Sequence, residues 1–138
     1  MIVGYTTGVF DLFHVGHLNL LRNARGLCDR LIVGVSTDDL VAKIKSKSCT
    51  IPYCDRVEIV RGCRYVDAAV PQADLDKHAG WQKLRFNVLF VGDDWFGTEP
   101  WLEQERRLAE QSVKIIYLPY THGVSSTQLQ QQVTTAKS

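Results

Sequence analysis

Short apolar runs alternate along this chain with segments whose apolar residues recur every three or four positions. Residues 1–6, rich in β-branched and aromatic types, predict a strand. Val15, Leu18, Leu21, Ala24 and Cys28 then share one face of a helix. Leu31-Ile32-Val33-Gly34-Val35 is a second strand, and Ser36-Thr37-Asp38 supplies N-cap chemistry for the segment after it. Residues 44–54 break the pattern. They are polar and cationic and contain Pro52, which predicts a mobile loop. Asp55 is placed to cap a helix over 55–62, a third strand over 66–70 is stopped by Pro71, and residues 74–86 read as helical. Residues 88–91 form a fourth strand ending in Gly92-Asp93-Asp94. Pro100 suits the first turn of a helix over 100–111. A fifth strand follows over 113–118, and Gly123-Val124-Ser125-Ser126 leads into a last helix over 126–133.

Strands that alternate with helices imply right-handed crossovers and a parallel sheet covered on both faces. The expected architecture is therefore α/β: a Rossmann-like, three-layer α/β/α arrangement with a five-stranded parallel sheet, residues 1–138 forming one domain. In such sheets ligands bind beyond the carboxyl ends of the strands. That rule singles out residues 6–17, 36–47, 92–97 and 119–127 before any motif is considered.

Composition narrows the function classes. With 138 residues, 45% hydrophobic and 22% charged, the chain has ordinary globular usage, which excludes disorder as its main description. Sixteen Lys and Arg against fifteen Asp and Glu leave a formal net charge of +1, which argues against a dedicated duplex-DNA or polyphosphate binder. No nucleic-acid partner is expected. No run of 18 apolar residues is present, so no membrane span is expected. The N-terminus, Met1-Ile2-Val3-Gly4-Tyr5, lacks the features of a secretion signal. The cysteines Cys28, Cys49, Cys54 and Cys63 contain no C-x-x-C pair and read as free thiols in a reducing compartment, which points to the cytoplasm.

The strongest chemical signal is Thr7-Gly8-Val9-Phe10-Asp11-Leu12-Phe13-His14-Val15-Gly16-His17, between the first strand and first helix. His14 and His17 are three apart and share a face in a helical first turn, with Gly16 between them leaving a ligand room to approach. A helix N-terminus adds unpaired N–H groups and a positive dipole end, a natural place for phosphate. Imidazoles there can donate to phosphoryl oxygens as charge builds in a transition state. A second reading is a metal site: Asp11, His14 and His17 at three-residue steps have ligand chemistry for zinc or iron. A third is that the histidines only pack.

The segment Gly8 to His17 resembles the HxGH signature of the cytidylyltransferase family of nucleotidyltransferases. Gly123-Val124-Ser125-Ser126-Thr127 is similar to that family's second signature. Ser36-Thr37-Asp38, Arg64-Tyr65-Val66-Asp67 and Gly92-Asp93-Asp94-Trp95 resemble the small bacterial glycerol-3-phosphate cytidylyltransferases in order and spacing, so the similarity covers nearly the whole chain.

The resemblance implies an enzyme that transfers CMP from CTP to a small phosphorylated alcohol, or an amide phosphate, giving a CDP-linked product and pyrophosphate for cell-wall, capsule or lipid synthesis. It also implies a homodimer, and Mg²⁺ carried by the nucleoside triphosphate rather than held by protein side chains. His14, His17 and Lys45 would be catalytic. The nucleotide would be bound by Thr7, Gly8, Val9, Phe10, Gly16, Asp94, Thr121, Gly123, Ser125 and Ser126 together with the two histidines. The acceptor phosphate would be bound by Asp11, Asp38, Lys45, Lys47, Arg56 and Arg64. The cluster Lys43-Ile44-Lys45-Ser46-Lys47 corresponds to a lysine-rich loop that closes on phosphates in the family, and read alone it is equally a solvated surface. Asp11 and Asp38 have a helix-capping alternative.

One departure stands out. Tyr120 occupies the place of the Arg that begins the second signature in many relatives, which removes one triphosphate cation; His122 replaces it only when protonated. Two alternatives follow. One is an adenylyltransferase of the same superfamily, since the Ser125-Ser126-Thr127 form also occurs there. The other is a nucleotide-binding regulatory module without turnover.

Overall fold

The computed structural model describes residues 1–45, 48–92 and 99–119. Five strands, β1 (Val3–Gly8), β2 (Arg30–Ser36), β3 (Ala68–Gln72), β4 (Val88–Gly92) and β5 (Lys114–Leu118), alternate with five helices. These are α1 (Val15–Arg25), α2 (Asp38–Lys45), α3 (Tyr53–Arg61), α4 (Lys77–Leu84) and α5 (Glu99–Ala109), with α2 and α3 together linking β2 to β3. The strands form one sheet in the order β3-β2-β1-β4-β5, and every pairing is parallel. The Rossmann-like α/β expectation holds.

Alternation along the strands explains the layers. Leu31, Val33 and Val35 of β2, with Val88 and Phe90 of β4, pack against Leu21 and Ala24 of α1 and Val57 and Val60 of α3. Tyr5, Ile32, Leu89 and Val91 point to the other face and pack with Phe86, and with Trp101 and Leu108 of α5. A strand buried on both faces must be apolar at consecutive positions, and Leu31 to Val35 is buried throughout. The chain builds β1, β2 and β3 outward in one direction and then returns to place β4 on the other side of β1. That reversal falls between β1 and β4, whose carboxyl ends are the usual ligand position in such sheets.

Several boundaries differ from the sequence expectation. β1 runs to Gly8 because Thr7 and Gly8 pair with Gly34 and Val35, so the two threonines continue the strand instead of ending it. Pro71 lies inside β3, opposite Val35; an edge strand tolerates the missing N–H. The expected loop over 44–54 begins later, since α2 continues through Lys45. The Thr37 hydroxyl accepts from the Leu40 N–H at 3.2 Å, Asp38 and Asp39 occupy the first turn, and the lysines lie toward the end where the helix dipole favours cations. The helix expected over 126–133 lies outside the described residues. Among the described residues Cys28, Cys49, Cys54 and Cys63 form no disulfide. Among the described residues no helix is long and apolar enough to cross a membrane.

Candidate active site

The turn from β1 into α1 organises the site. His14 is the N-cap of α1, extended at φ −139° and ψ 179°. Its Nδ1 accepts from the Gly16 N–H at 3.0 Å, and Nδ1 of His17, at the third helical position, accepts from the His14 N–H at 3.2 Å. The pair thus forms a capping box with imidazoles in place of the usual hydroxyl and carboxylate. This bonding fixes the tautomer. Each Nδ1 serves as an acceptor, so each neutral ring carries its proton on Nε2. The rings stack with centroids 3.9 Å apart. Burial lowers the basicity of His14. His17 is pulled down to about 4, first by burial and then by His14, with Asp11 opposing. At neutral pH the site therefore presents two neutral N–H donors at a helix N-terminus, suited to phosphoryl oxygens.

Asp11 serves the scaffold. Its two carboxylate oxygens accept from the Thr50 N–H at 2.8 Å and the Ile51 N–H at 2.9 Å, so it holds the segment between α2 and α3 against the β1 turn. It does not cap α1, since His14 does. The alternative metal site of Asp11, His14 and His17 is not assembled, and among the described residues no group of three potential ligands is placed to hold a metal.

Arg56 corrects a second expectation. Its side chain is fully buried, and its guanidinium points inward. Nε donates to the Ile51 carbonyl at 2.8 Å; Nη1 donates to Val9 at 2.7 Å and to Ser36 at 2.8 Å; Nη2 donates to Asp38 at 2.8 Å. Four bonds therefore clasp the β1 turn, the end of β2, the 50–52 segment and α2 around one cation. A planar fork suits this task, and four of its five N–H donors are engaged by protein groups in this scaffold. Asp38 lies in the first turn of α2 and accepts from the Tyr53 N–H at 3.0 Å as well as from Arg56; both bonds hold its carboxyl below the usual range. Asp38 is thus a tie between α2 and α3 and not a cap.

Arg64 is separated from the site. It follows α3 and precedes β3, in a segment whose Asp67 N–H donates to Leu31 at the start of β2. Five residues of β3, about 17 Å of strand, stand between this end of the sheet and the carboxyl ends. Within one chain Arg64 does not reach the histidines. Thr7, Gly8, Val9, Phe10, Gly16 and the two histidines do come together at the β1 turn. Lys43 lies exposed at the end of α2. Asp94, Thr121, Gly123, Ser125, Ser126, Lys47 and the side chain of Lys45 lie outside the described residues, as do Tyr120 and His122.

The structure adds a residue that the motifs missed. Lys77 opens α4 just after the Asp76 N-cap and is only 5% exposed. Its Nζ donates to Thr7 Oγ1 at 2.8 Å, which puts an ammonium beside the carboxyl end of β1. Burial draws its pKa down to about 8, with Asp74 partly offsetting. In the sequence Lys77 is one lysine in a polar stretch. The Asp76 cap would have located it at the end of β3, but nothing in the sequence reported its burial.

A parallel α/β sheet with a histidine-capped helix at its topological reversal defines a phosphate-handling enzyme of the nucleotidyltransferase type. A family model described as cytidylyltransferase-like matches residues 5–132. A glycerol-3-phosphate cytidylyltransferase from Staphylococcus aureus is 35% identical over 129 residues, 93% of this chain and 92% of that protein. An FAD synthase from Pyrococcus abyssi is 36% identical over 119 residues, 83% of this chain and 78% of that protein. Among solved structures, a lipopolysaccharide core biosynthesis protein from Thermoplasma volcanium superposes with a TM-score of 0.72 at 23% identity, covering 88% of this chain and 97% of that one; it supports the fold. The chain belongs to the cytidylyltransferase-like family and is an enzyme of the nucleotidyltransferase class.

Proposed function

We propose that this enzyme transfers CMP from CTP to a small phosphorylated alcohol of the glycerol-3-phosphate kind, or another polyol, amino-alcohol or amide phosphate. The product is CDP-linked and would feed cell-wall, capsule or lipid synthesis. One observation carries the chemical part of this reading: two stacked imidazoles at the N-terminus of α1, beside the carboxyl end of β1, whose Nδ1 atoms accept backbone N–H groups and so leave Nε2 to donate. The similarity to glycerol-3-phosphate cytidylyltransferases over 93% of the chain supports the choice of substrates.

In the reaction an acceptor-phosphate oxygen attacks the α-phosphorus in line. The bond from that phosphorus to the bridging oxygen breaks, and pyrophosphate leaves with the electron pair. No covalent enzyme intermediate is needed, so positioning and charge stabilisation supply most of the rate. His14 and His17 donate Nε2–H to oxygens whose charge grows in the transition state. Lys77, buried beside Thr7, offers a cation to a phosphate at the carboxyl end of β1, and Lys43 and Lys45 at the end of α2 offer others. Mg²⁺ carried by the triphosphate would supply charge neutralisation for the departing pyrophosphate. Asp94, Thr121, Gly123, Ser125 and Ser126 are assigned to the nucleotide, and a homodimer is the expected assembly.

Pyrophosphate release is measured with each of the four nucleoside triphosphates and a panel of phosphorylated alcohols and amides. Turnover with CTP and one such acceptor is the expected result; preference for ATP overturns the cytidylyl assignment. That second reading, adenylyl transfer, is favoured by the 36% identity to an enzyme named for making FAD, a product that contains adenylate.

A further inference from the structure

The backbone leading into the histidine pair is unusual. Phe10 and Leu12 adopt left-handed conformations at φ 55° and φ 51°, which non-glycine residues seldom occupy outside sites that need them. The surrounding contacts over-determine the turn. The Phe10 side chain is 3% exposed, and the Val9 carbonyl is held by Arg56. Gly8 leaves the room that the Phe10 ring fills; a Cβ at Gly8 would lie 2.9 Å from that ring.

This backbone path delivers aromatic walls to His17. The Phe10 ring lies 5.2 Å from the imidazole at 62°, an edge contact, and the Phe13 ring lies 5.3 Å away at 40°. The two phenyl rings are 6.3 Å apart, and His14 stacks on the imidazole from its own side. With the bond from the His14 N–H to Nδ1, the imidazole has three aromatic neighbours and one polar anchor. Such packing fixes a ring plane and so the direction of its remaining N–H.

We propose that Phe10 and Phe13 are positioning residues that hold the His17 imidazole in the one orientation in which Nδ1 meets the His14 N–H, so that the tautomer this bond selects is kept and Nε2–H is aimed at a single phosphoryl position. They act through His17, and the catalytic importance of the lock rests on the nucleotidyl-transfer reading above. The charged and titratable groups that bear on His17 are His14 and Asp11; burial dominates and keeps it neutral. A neutral ring of fixed tautomer donates at Nε2 alone, whereas a mobile one would offer Nδ1 or Nε2 in turn.

The test uses the full chain labelled with ¹⁵N and reads the imidazole nitrogens of His17 by long-range ¹H–¹⁵N correlation across pH, with steady-state kinetics alongside. The unsubstituted protein is expected to show one Nε2–H tautomer that resists protonation well below pH 6. In Phe13→Ala the expected signature is mixed tautomers, a midpoint at least one pH unit higher, and kcat reduced tenfold or more while nucleotide KM stays within threefold. Phe13→Tyr, which keeps the ring, should restore both spectrum and rate. Phe10→Leu should behave like Phe13→Ala; if it does not fold, the partly buried Phe13 decides the matter. An unchanged His17 spectrum and titration in Phe13→Ala overturns the proposal, as does a loss of rate without a spectral change. The spectroscopic result needs no turnover, so an absence of nucleotidyl transfer would defeat the functional reading while the lock itself is still judged.

Discussion

Replacing Lys77 with methionine should make the protein more stable and less active. The Lys77 side chain is nearly enclosed, and burial lowers its pKa from 10.5 to about 8. A shift of that size corresponds to about 3 kcal/mol of destabilisation carried by the charged form. Between about pH 8 and pH 10.5 the unfolded chain holds a proton that the native state has released, so stability rises with pH through that window. At pH 7 the native lysine is charged and the full cost is present. Methionine removes that cost and gives up the bond to Thr7 Oγ1, worth about 1.5–2 kcal/mol for a charged donor. The net gain is about 1 kcal/mol, or roughly 3–5 °C in Tm for a chain of this length. If the ammonium meets a substrate phosphate, turnover should fall by about 100-fold, in line with the loss of one strong electrostatic contact. Thermal unfolding of both proteins at pH 7 and near pH 10, with initial rates at pH 7, checks this. The stability gap should be present at pH 7 and close near pH 10. A variant less stable than the parent at pH 7, or one with full activity, would show that Lys77 is an ordinary structural residue.

Other consequences follow from the same geometry. Arg56→Ala breaks four hydrogen bonds around a buried cation and strands three carbonyls; it should cost about 3–5 kcal/mol, read as a loss of roughly 10 °C or more in Tm. A rise in acceptor KM with unchanged melting would instead restore Arg56 as a phosphate ligand. His14→Ala and His17→Ala should each lower kcat by about 100-fold or more without abolishing folding, which circular dichroism beside a rate assay would establish. Because the native state holds His17 near 4 against an ordinary 6.5, the unfolded state binds more protons between those values, and stability should fall as pH drops through that window. In His17→Asn that part of the pH dependence should disappear from urea-unfolding curves.

Apolar periodicity alone was enough to imply a five-stranded parallel sheet, because strands buried on both faces must be apolar at consecutive positions and crossover helices must show a repeat of three to four. The His14–Gly16–His17 spacing was equally legible, since a helix N-terminus and residues three apart are local properties. Long-range packing decided what each polar side chain does. Asp11 and Arg56 look like ligands for a substrate, but the fold turns Asp11 onto Thr50 and Ile51 and Arg56 onto Val9 and Ser36, groups 20 to 47 positions away. Arg64 lies within a few residues of Asp67 in the sequence and at the wrong end of the sheet in space. Lys77 shows the reverse: an ordinary lysine in the sequence, it is buried at the start of α4 against Thr7, 70 positions away. Local propensity and spacing are written into neighbouring residues, whereas burial and the destination of a hydrogen bond depend on partners that only the closed chain brings together.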